Sequence, residues 1–291
     1  MNRARSRRST PLSLALLKKH PLPPVAAAAD KEDRGAVLIV GGSFLVPGAA
    51  ILAGLAALRA GCGKLAIAID NRVSALTAQS LPEALVLPLA PSHGNSLAAA
   101  LRDKAQTADA ILVGVGMQPS AATARLVRQI ARASDAPLVL DAGALARAAM
   151  PVLPRRRCVL TPHAGEMAKL TGSAKTSVQA QASTIAQTVA HALEATVVLK
   201  GAQTFIADPE TLLRNDRGHP GLGTSGSGDV LAGVLAALVA RGASPRWAAA
   251  WAVWLHALAG ERLARRIGPT GFLAREIAHE IPRCLRACGQ R

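Results

Sequence analysis

The chain has 291 residues, half of them hydrophobic, and carries a formal net charge of +16 with only 2% aromatic residues and no tyrosine. That is enough apolar material for a sizeable core in one large domain or two ordinary ones, and the Ala, Leu and Val bias fits helices on a buried sheet better than a β-sandwich. The scarcity of aromatic platforms argues against single-stranded nucleic acid as a partner. The basic residues, mostly Arg, are scattered, with small clusters at Arg3–Arg8 and Arg155–Arg157. They read as a solvated surface.

Residues 1–30 are expected to form a basic, Pro-rich tail: a polar start, an amphipathic piece from Leu12 to Lys19 and the connector Pro21-Leu22-Pro23-Pro24. Residues 31–291 are expected to form a single domain. Its first strand is Ala36 to Val40, a continuous apolar run of the kind buried on both faces of a parallel sheet. Gly41-Gly42-Ser43 ends it, and a helix is predicted from Ala49 to Ala60 after Pro47-Gly48. Further strands are predicted at 64–69, 84–89, 110–113, 137–140, 158–160 and 196–199, with Thr204 to Ala207 as a hairpin return. Helices are predicted at 96–106, 121–133, 229–240, 245–265 and 272–288. The alternation predicts a doubly wound α/β fold, mostly parallel, with helices on both faces.

Four cysteines show no CxxC pair and no histidines at zinc spacing, so Cys284 and Cys288, four apart on one helix face, are expected to be buried thiols. The short apolar run Leu12 to Leu17 is interrupted by Lys18-Lys19, unlike a secretory core, and no stretch reaches membrane-spanning length. A cytoplasmic protein without a membrane partner is expected.

The most informative stretch is Gly221-Leu222-Gly223-Thr224-Ser225-Gly226-Ser227-Gly228-Asp229, which runs into an apolar helix. Bare glycine backbone before a helix N-terminus makes an anion nest. Asp229 at its rim reads as a base facing a hydroxyl that is to meet a phosphoryl group. Although Gly221 to Gly226 satisfies GxGxxG, a loop precedes it and Arg246 stands about where a dinucleotide fold places an acid, so that fingerprint is rejected. Asp141, His163, Glu166 and Lys200 each follow a short strand, which in a parallel sheet aligns them along one edge of a crevice. His256, in an apolar helix, reads as a hydrogen-bonded core residue. Neither a nucleophile elbow nor an activated cysteine is present, and phosphoryl transfer is the chemistry that needs a nest, a base and a cleft.

Several segments recur in order in one family. They are Gly42-Ser43 with Pro47-Gly48-Ala49-Ala50, Leu58-Arg59-Ala60-Gly61, Leu160-Thr161-Pro162-His163 with Gly165-Glu166, Lys200-Gly201 with Thr204, and Gly226-Ser227-Gly228-Asp229. From about Lys31 to Cys288 the chain resembles the ADP-dependent NAD(P)H-hydrate dehydratases, which have a ribokinase-like fold. The resemblance implies dehydration of the damaged cofactors NADHX and NADPHX back to NADH and NADPH, with ADP (or ATP in the eukaryotic type) as phosphoryl donor; Mg2+ bridging the phosphates is expected from that chemistry. It implies that Lys200, Gly201, Ala202, Gln203 and Thr204, with Gly226, Ser227 and Gly228, hold the nucleotide. Ala49, Ala50, Gly116, His163 and Asp229 would line the hydrate site, Asp229 would be the catalytic base, and Glu166 would hold the metal through water. A homo-tetramer and a separate or absent epimerase chain are also implied. His219, Ser225 and Gly223 depart from the family's usual Asn, Gly and Ala.

Two other readings compete. A ribokinase-like kinase of a small alcohol would share the nest and base but leave the phosphate on its product. A non-catalytic basic nucleotide-binding module would be indifferent to Asp229.

Overall fold

The structure is a computed structural model, and it describes residues 9–25, 30–89, 97–147, 150 and 157–290. The basic clusters at residues 3–8 and at Arg155 and Arg156 lie outside these, as does Ser96.

In chain order, β1 (Thr10–Pro11) and α1 (Leu14–Lys18) lead to β2 (Ala36–Val40) and α2 (Gly48–Arg59). Then come β3 (Lys64–Asp70), α3 (Ser74–Ser80), β4 (Leu85–Leu89), α4 (Ala99–Thr107), β5 (Ala110–Val113), α5 (Ala121–Ala133), β6 (Leu138–Leu140) and β7 (Cys158–Leu160). The chain continues through α6 (Ala164–Thr171), α7 (Lys175–Ala180), α8 (Ala182–Leu193), β8 (Thr196–Leu199), β9 (Thr204–Ala207) and β10 (Leu212–Asn215), and closes with α9 (Ser227–Ala240), α10 (Pro245–Arg266) and α11 (Ala274–Ala287).

The strands form one sheet in the order β1-β10-β9-β8-β7-β6-β5-β2-β3-β4. From β8 to β4 all pairings are parallel, and β9 returns antiparallel beside β8. The chain winds outward from β2 to β4 and then in the other direction from β5 to β8. The order therefore reverses between β2 and β5, where an open α/β sheet places its ligand crevice.

Strand side chains alternate between two cores, as the pleat requires. Val37, Ile39, Ile67, Leu112, Val139, Val159 and Val198 pack under α2, α9, α10 and α11. Leu38, Val40, Ile111, Val113, Leu140, Leu160 and Val197 pack on the other face, under α4, α5, α6 and α8. Helix α9 is buried from Val230 to Ala240, as an all-apolar helix must be. Gly233 lets it lie directly on α2: a Cβ at that position would stand 2.1 Å from the carbonyl oxygen of Ala53. Burial along its length fixes where the N-terminus of α9 points.

The boundary expected at residue 30 is not where the packing lies. Leu12, Leu17 and Leu22 are buried in the first core, β1 pairs in parallel with β10, and Trp251 Nε1 donates to the carbonyl of His20 at 2.8 Å. Three leucines spaced through a short polar segment were enough to dock it. The two-residue β1 and the strand β10 also lack the continuous apolar run that marks the other strands. All four cysteines are free and buried.

Candidate active site

The site lies across the carboxyl ends of β2, β5, β6, β7 and β8. At the switch point, Gly42 N–H donates to Val115 O at 2.7 Å and Gly114 N–H to Val40 O at 2.9 Å, locking the two strand-end turns together. Gly116 has φ +66°, and a Cβ there would meet Val46 O at 2.6 Å and the Ala49 side chain at 2.8 Å. Gly116, Ala49 and Ala50 are thereby brought together at the N-terminus of α2. Ala49 and Ala50 are themselves buried, so what they can offer a ligand is the backbone of the helix's first turn.

The nest is the N-terminus of α9. Gly226 adopts φ +87°, and a Cβ there would strike Leu52 of α2 at 2.5 Å, so the starts of α2 and α9 converge. The N–H groups of Gly226, Gly228 and Asp229 have no backbone acceptor among the described residues, whereas Ser227 N–H already donates to Thr224 O at 3.2 Å. The Ser227 hydroxyl is 3.0 Å from His256 Nε2. His256 is thus hydrogen-bonded, as expected, but against the nest itself.

Lys200 follows β8 and is continued in register with His163 of the neighbouring strand end. Its Nζ donates to Asp141 Oδ1 at 2.9 Å, and that same oxygen accepts from Thr161 Oγ1 at 2.7 Å. A Cβ on Gly228 would lie 3.3 Å from Lys200 Nζ, which puts the ammonium at the mouth of the nest. Burial acts to lower the Lys200 pKa, but the carboxylates of Asp141, Glu166 and Asp229 outweigh it and the group is raised. It stays a cation.

Asp229 is the opposite case. Burial pushes its carboxyl up to about 7; Asp141 and Glu166 add to the rise and Lys200 opposes it. A carboxylate poised near neutrality beside an anion nest is suited to general base chemistry.

His163 and Glu166 form a capping box at the start of α6. Gly165 N–H and Glu166 N–H donate to His163 Nδ1 at 3.0 and 3.2 Å, and His163 N–H donates to Glu166 Oε2 at 2.8 Å. The imidazole is exposed, and its Nε2 lies 3.5 Å from Glu166 Oε1. Gly201, Ala202 and Gln203 are an exposed turn between β8 and β9. Gln203 is tied to Asp216 at 2.9 Å and the Thr204 hydroxyl lies 3.4 Å from Gly201 O. His219 caps the short turn Pro220–Leu222 by accepting from Gly221 N–H through Nδ1 at 3.1 Å. An asparagine oxygen would make the same bond, so this departure preserves the turn.

No group of three or more His, Cys, Asp or Glu side chains forms a metal cage among the described residues. What is present is a set of hard carboxylate oxygens beside an ammonium. Magnesium keeps several waters and is commonly held by one or two carboxylates together with substrate phosphates. The residues fit an ion that arrives with a nucleotide.

The family model for NAD(P)H-hydrate dehydratase matches residues 37–283. A curated ADP-dependent (S)-NAD(P)H-hydrate dehydratase from Xanthomonas campestris is 49% identical over 276 residues, covering 93% of this chain and 94% of the relative. The chain belongs to the NAD(P)H-hydrate dehydratase family. A bifunctional NAD(P)H-hydrate repair enzyme from Moorella thermoacetica is 35% identical over 91% of this chain, which spans about half of that relative's length, 52%. The crystal structure of an ADP/ATP-dependent NAD(P)H-hydrate dehydratase from Bacillus subtilis, co-crystallised with ATP/Mg2+, superposes with a TM-score of 0.85 at 31% identity, covering 97% of this chain and 99% of the other. A ribokinase-like superfamily protein from Enterococcus faecalis superposes with a TM-score of 0.84 at 25% identity. The fold is ribokinase-like. Among the described residues no helix is long and apolar enough to cross a membrane.

Sequence reasoning placed Asp141 at a strand end without assigning it a role. The structure makes it the anchor of Lys200. The Ser227–His256 contact was likewise missed; the one signal for it was a single imidazole in the apolar run Ala248 to Gly260.

Proposed function

We propose that this chain dehydrates the hydrated nicotinamide cofactors (S)-NADHX and (S)-NADPHX, converting ADP to AMP and phosphate. The single observation that carries the reading is Asp229: a carboxyl held up to about 7 at the rim of an anion nest, on a chain 49% identical to an ADP-dependent dehydratase across nearly its whole length.

In this reading the Asp229 carboxylate takes the proton of the ring hydroxyl. The hydroxyl oxygen attacks the terminal phosphorus of ADP, and AMP departs. The phosphate ester then leaves as inorganic phosphate, with C–O cleavage assisted by the adjacent ring nitrogen. Loss of a proton from the neighbouring carbon restores the double bond. The overall change is hydrate plus ADP to reduced cofactor, AMP, phosphate and a proton. Phosphorylation is what turns hydroxide, a poor leaving group, into a good one.

The nest's free N–H groups and Lys200 stabilise charge on the phosphoryl group in transit. The turn from Gly201 to Thr204 borders the nucleotide, and Gly116, the first turn of α2 and His163 border the hydrate. Magnesium would supply further charge neutralisation when bound with the nucleotide, and Glu166, by the oxygen not used in the cap, would hold it through water. A homo-tetramer and a cytoplasmic location accompany the proposal.

The test is a coupled measurement. The purified chain with NADHX, ADP and Mg2+ should restore the absorbance of the reduced ring while releasing phosphate one for one. Phosphate retained on an alcohol would instead identify a kinase.

A further inference from the structure

The active site draws on the carboxyl ends of β2, β5, β6, β7 and β8 and makes no use of that of β3. In the sheet, β3 adjoins β2 on the side away from β5. It ends in Asp70, and Arg72 follows in a short turn. Arg72 Nε and Nη2 donate to the two oxygens of Asp70 at 2.9 and 2.6 Å. Its guanidinium carbon stands over the Phe44 ring, 4.5 Å from the centroid.

Phe44 is 50% exposed, whereas the other two phenylalanines, Phe205 and Phe272, are buried. Leu45 and Val46 beside it are exposed as well. Together they form an apolar turn between β2 and α2, closed by Val46 N–H donating to Ser43 O at 3.1 Å. Contiguous exposed apolar surface beside a cleft belongs to a ligand or a partner.

The turn reaches the hydrate site. A Cβ on Gly116 would meet Val46 O at 2.6 Å, and two residues of chain keep Phe44 within about 7 Å of Val46. ADP, bordered by the turn after β8 and by the nest, takes the opposite side of the crevice. A dinucleotide whose nicotinamide lies between β2 and β5 therefore has the end of β3 as the open direction for its other half. That half carries adenine, a flat ring joined to the nicotinamide through two riboses and a pyrophosphate. Asp70 neutralises the charge of Arg72, which suits the pair poorly to capturing phosphate. What it offers is a fixed planar guanidinium and a phenyl ring, groups on which bases stack.

We propose that Phe44 and Arg72, clamped by Asp70, form the stacking platform for the adenine of the dinucleotide substrate. This rests on the dehydratase reading of the site. It makes the pair a specificity determinant remote from the reacting atoms, favouring dinucleotide hydrates over smaller ones.

The test compares NADHX with the corresponding hydrate of reduced nicotinamide mononucleotide, which lacks the adenosine half. Arg72→Ala and Phe44→Ala should each lower kcat/KM for NADHX about fivefold or more, the lower end of what stacking a base contributes. With the mononucleotide hydrate neither should change kcat/KM by more than about twofold, and the KM for ADP should hold. Arg72→Lys keeps the charge without the plane, so it should behave as Arg72→Ala does. Asp70 still accepts the Arg72 backbone N–H, at 3.0 Å in the wild type, so these variants keep the turn. Recovery by lysine would mean a charge contact to phosphate. Equal losses with both substrates would mean a structural role or a contact with a second copy of the chain. Either result would overturn the proposal. Titration calorimetry of NADH at saturating ADP needs no turnover: Arg72→Ala should weaken NADH by the same factor and leave the reduced mononucleotide unaffected. Unchanged NADH affinity would overturn the proposal even in an active enzyme. Failure of the wild-type chain to restore reduced cofactor would overturn the dehydratase reading instead, and the NADH titration would still decide the role of Arg72.

Discussion

Lys200 Nζ stands 2.9 Å from Asp141 Oδ1, across the strand that separates them, with the Thr161 hydroxyl from that middle strand on the same oxygen. Three adjacent strand ends thus converge on one carboxylate. The pair is buried, with side-chain exposures of 19% for Lys200 and 4% for Asp141. Removing one partner of a buried pair strands the other charge, at a cost of about 3–5 kcal/mol. Asp141→Ala should show most of that loss in denaturant unfolding. Asp141→Asn should fold better and shift the acidic limb of the pH–rate profile downward, because the Asp141 charge raises the Asp229 pKa.

Asp229 sets the pH dependence of the wild type. Its raised pKa of about 7 means the base is protonated, and idle, below neutrality. The kcat/KM, which reports the free enzyme, should rise with pH through about 7 and level off above it. Asp229→Asn should abolish turnover and leave ADP binding in titration calorimetry intact.

The same shift has a stability consequence of opposite sense. Because the folded pKa lies above the ordinary carboxyl value of 3.8, the folded state favours the protonated form. Its stabilisation is full below about 4 and is lost as pH rises through about 7. Asp229→Asn should therefore melt higher than wild type at pH 8, by about 2 °C or more, the shift one kcal/mol produces in a chain of this size. At pH 4 the difference should vanish.

How far the site was legible depended on how local its parts were. The nest could be read because its glycines are contiguous and precede an apolar helix. The strand-end residues could be read because each of β5, β6, β7 and β8 is an unbroken apolar run whose last member is obvious. The Lys200–Asp141 pair joins residues 59 apart and depends on which strands become neighbours, which no local pattern encodes. His256 and Ser227 meet only because α9 and α10 pack side by side. Helices α3, α7 and α8 escaped the reading, as did β1, whose two residues carry no periodicity.

The N-terminal segment should matter for stability. Each of Leu12, Leu17 and Leu22 is buried, and full burial of a leucine contributes roughly 1.5–3 kcal/mol. A chain beginning at Lys31 would lose these and leave Trp251 Nε1 without the His20 carbonyl. It should unfold at lower denaturant by roughly 5 kcal/mol or fail to accumulate in soluble form, whereas trimming residues 1–8 alone should leave the docked leucines in place.

Contact between α2 and α9 is what aims the nest. A methyl at Gly233 would meet the Ala53 carbonyl, so Gly233→Ala should cost about 1–3 kcal/mol through overpacking. It should also weaken ADP binding, though no atom of Gly233 lies in the nest, because the N-terminus of α9 is tilted away. A melting shift without loss of ADP affinity would show that the nest is positioned from elsewhere.

The central claim is that phosphoryl transfer from ADP drives removal of the ring hydroxyl. The measurement that tests it most directly uses NADHX labelled with 18O in that hydroxyl, together with ADP and Mg2+. The account predicts that the label emerges in inorganic phosphate as the reduced ring's absorbance returns. Label emerging in water would contradict it.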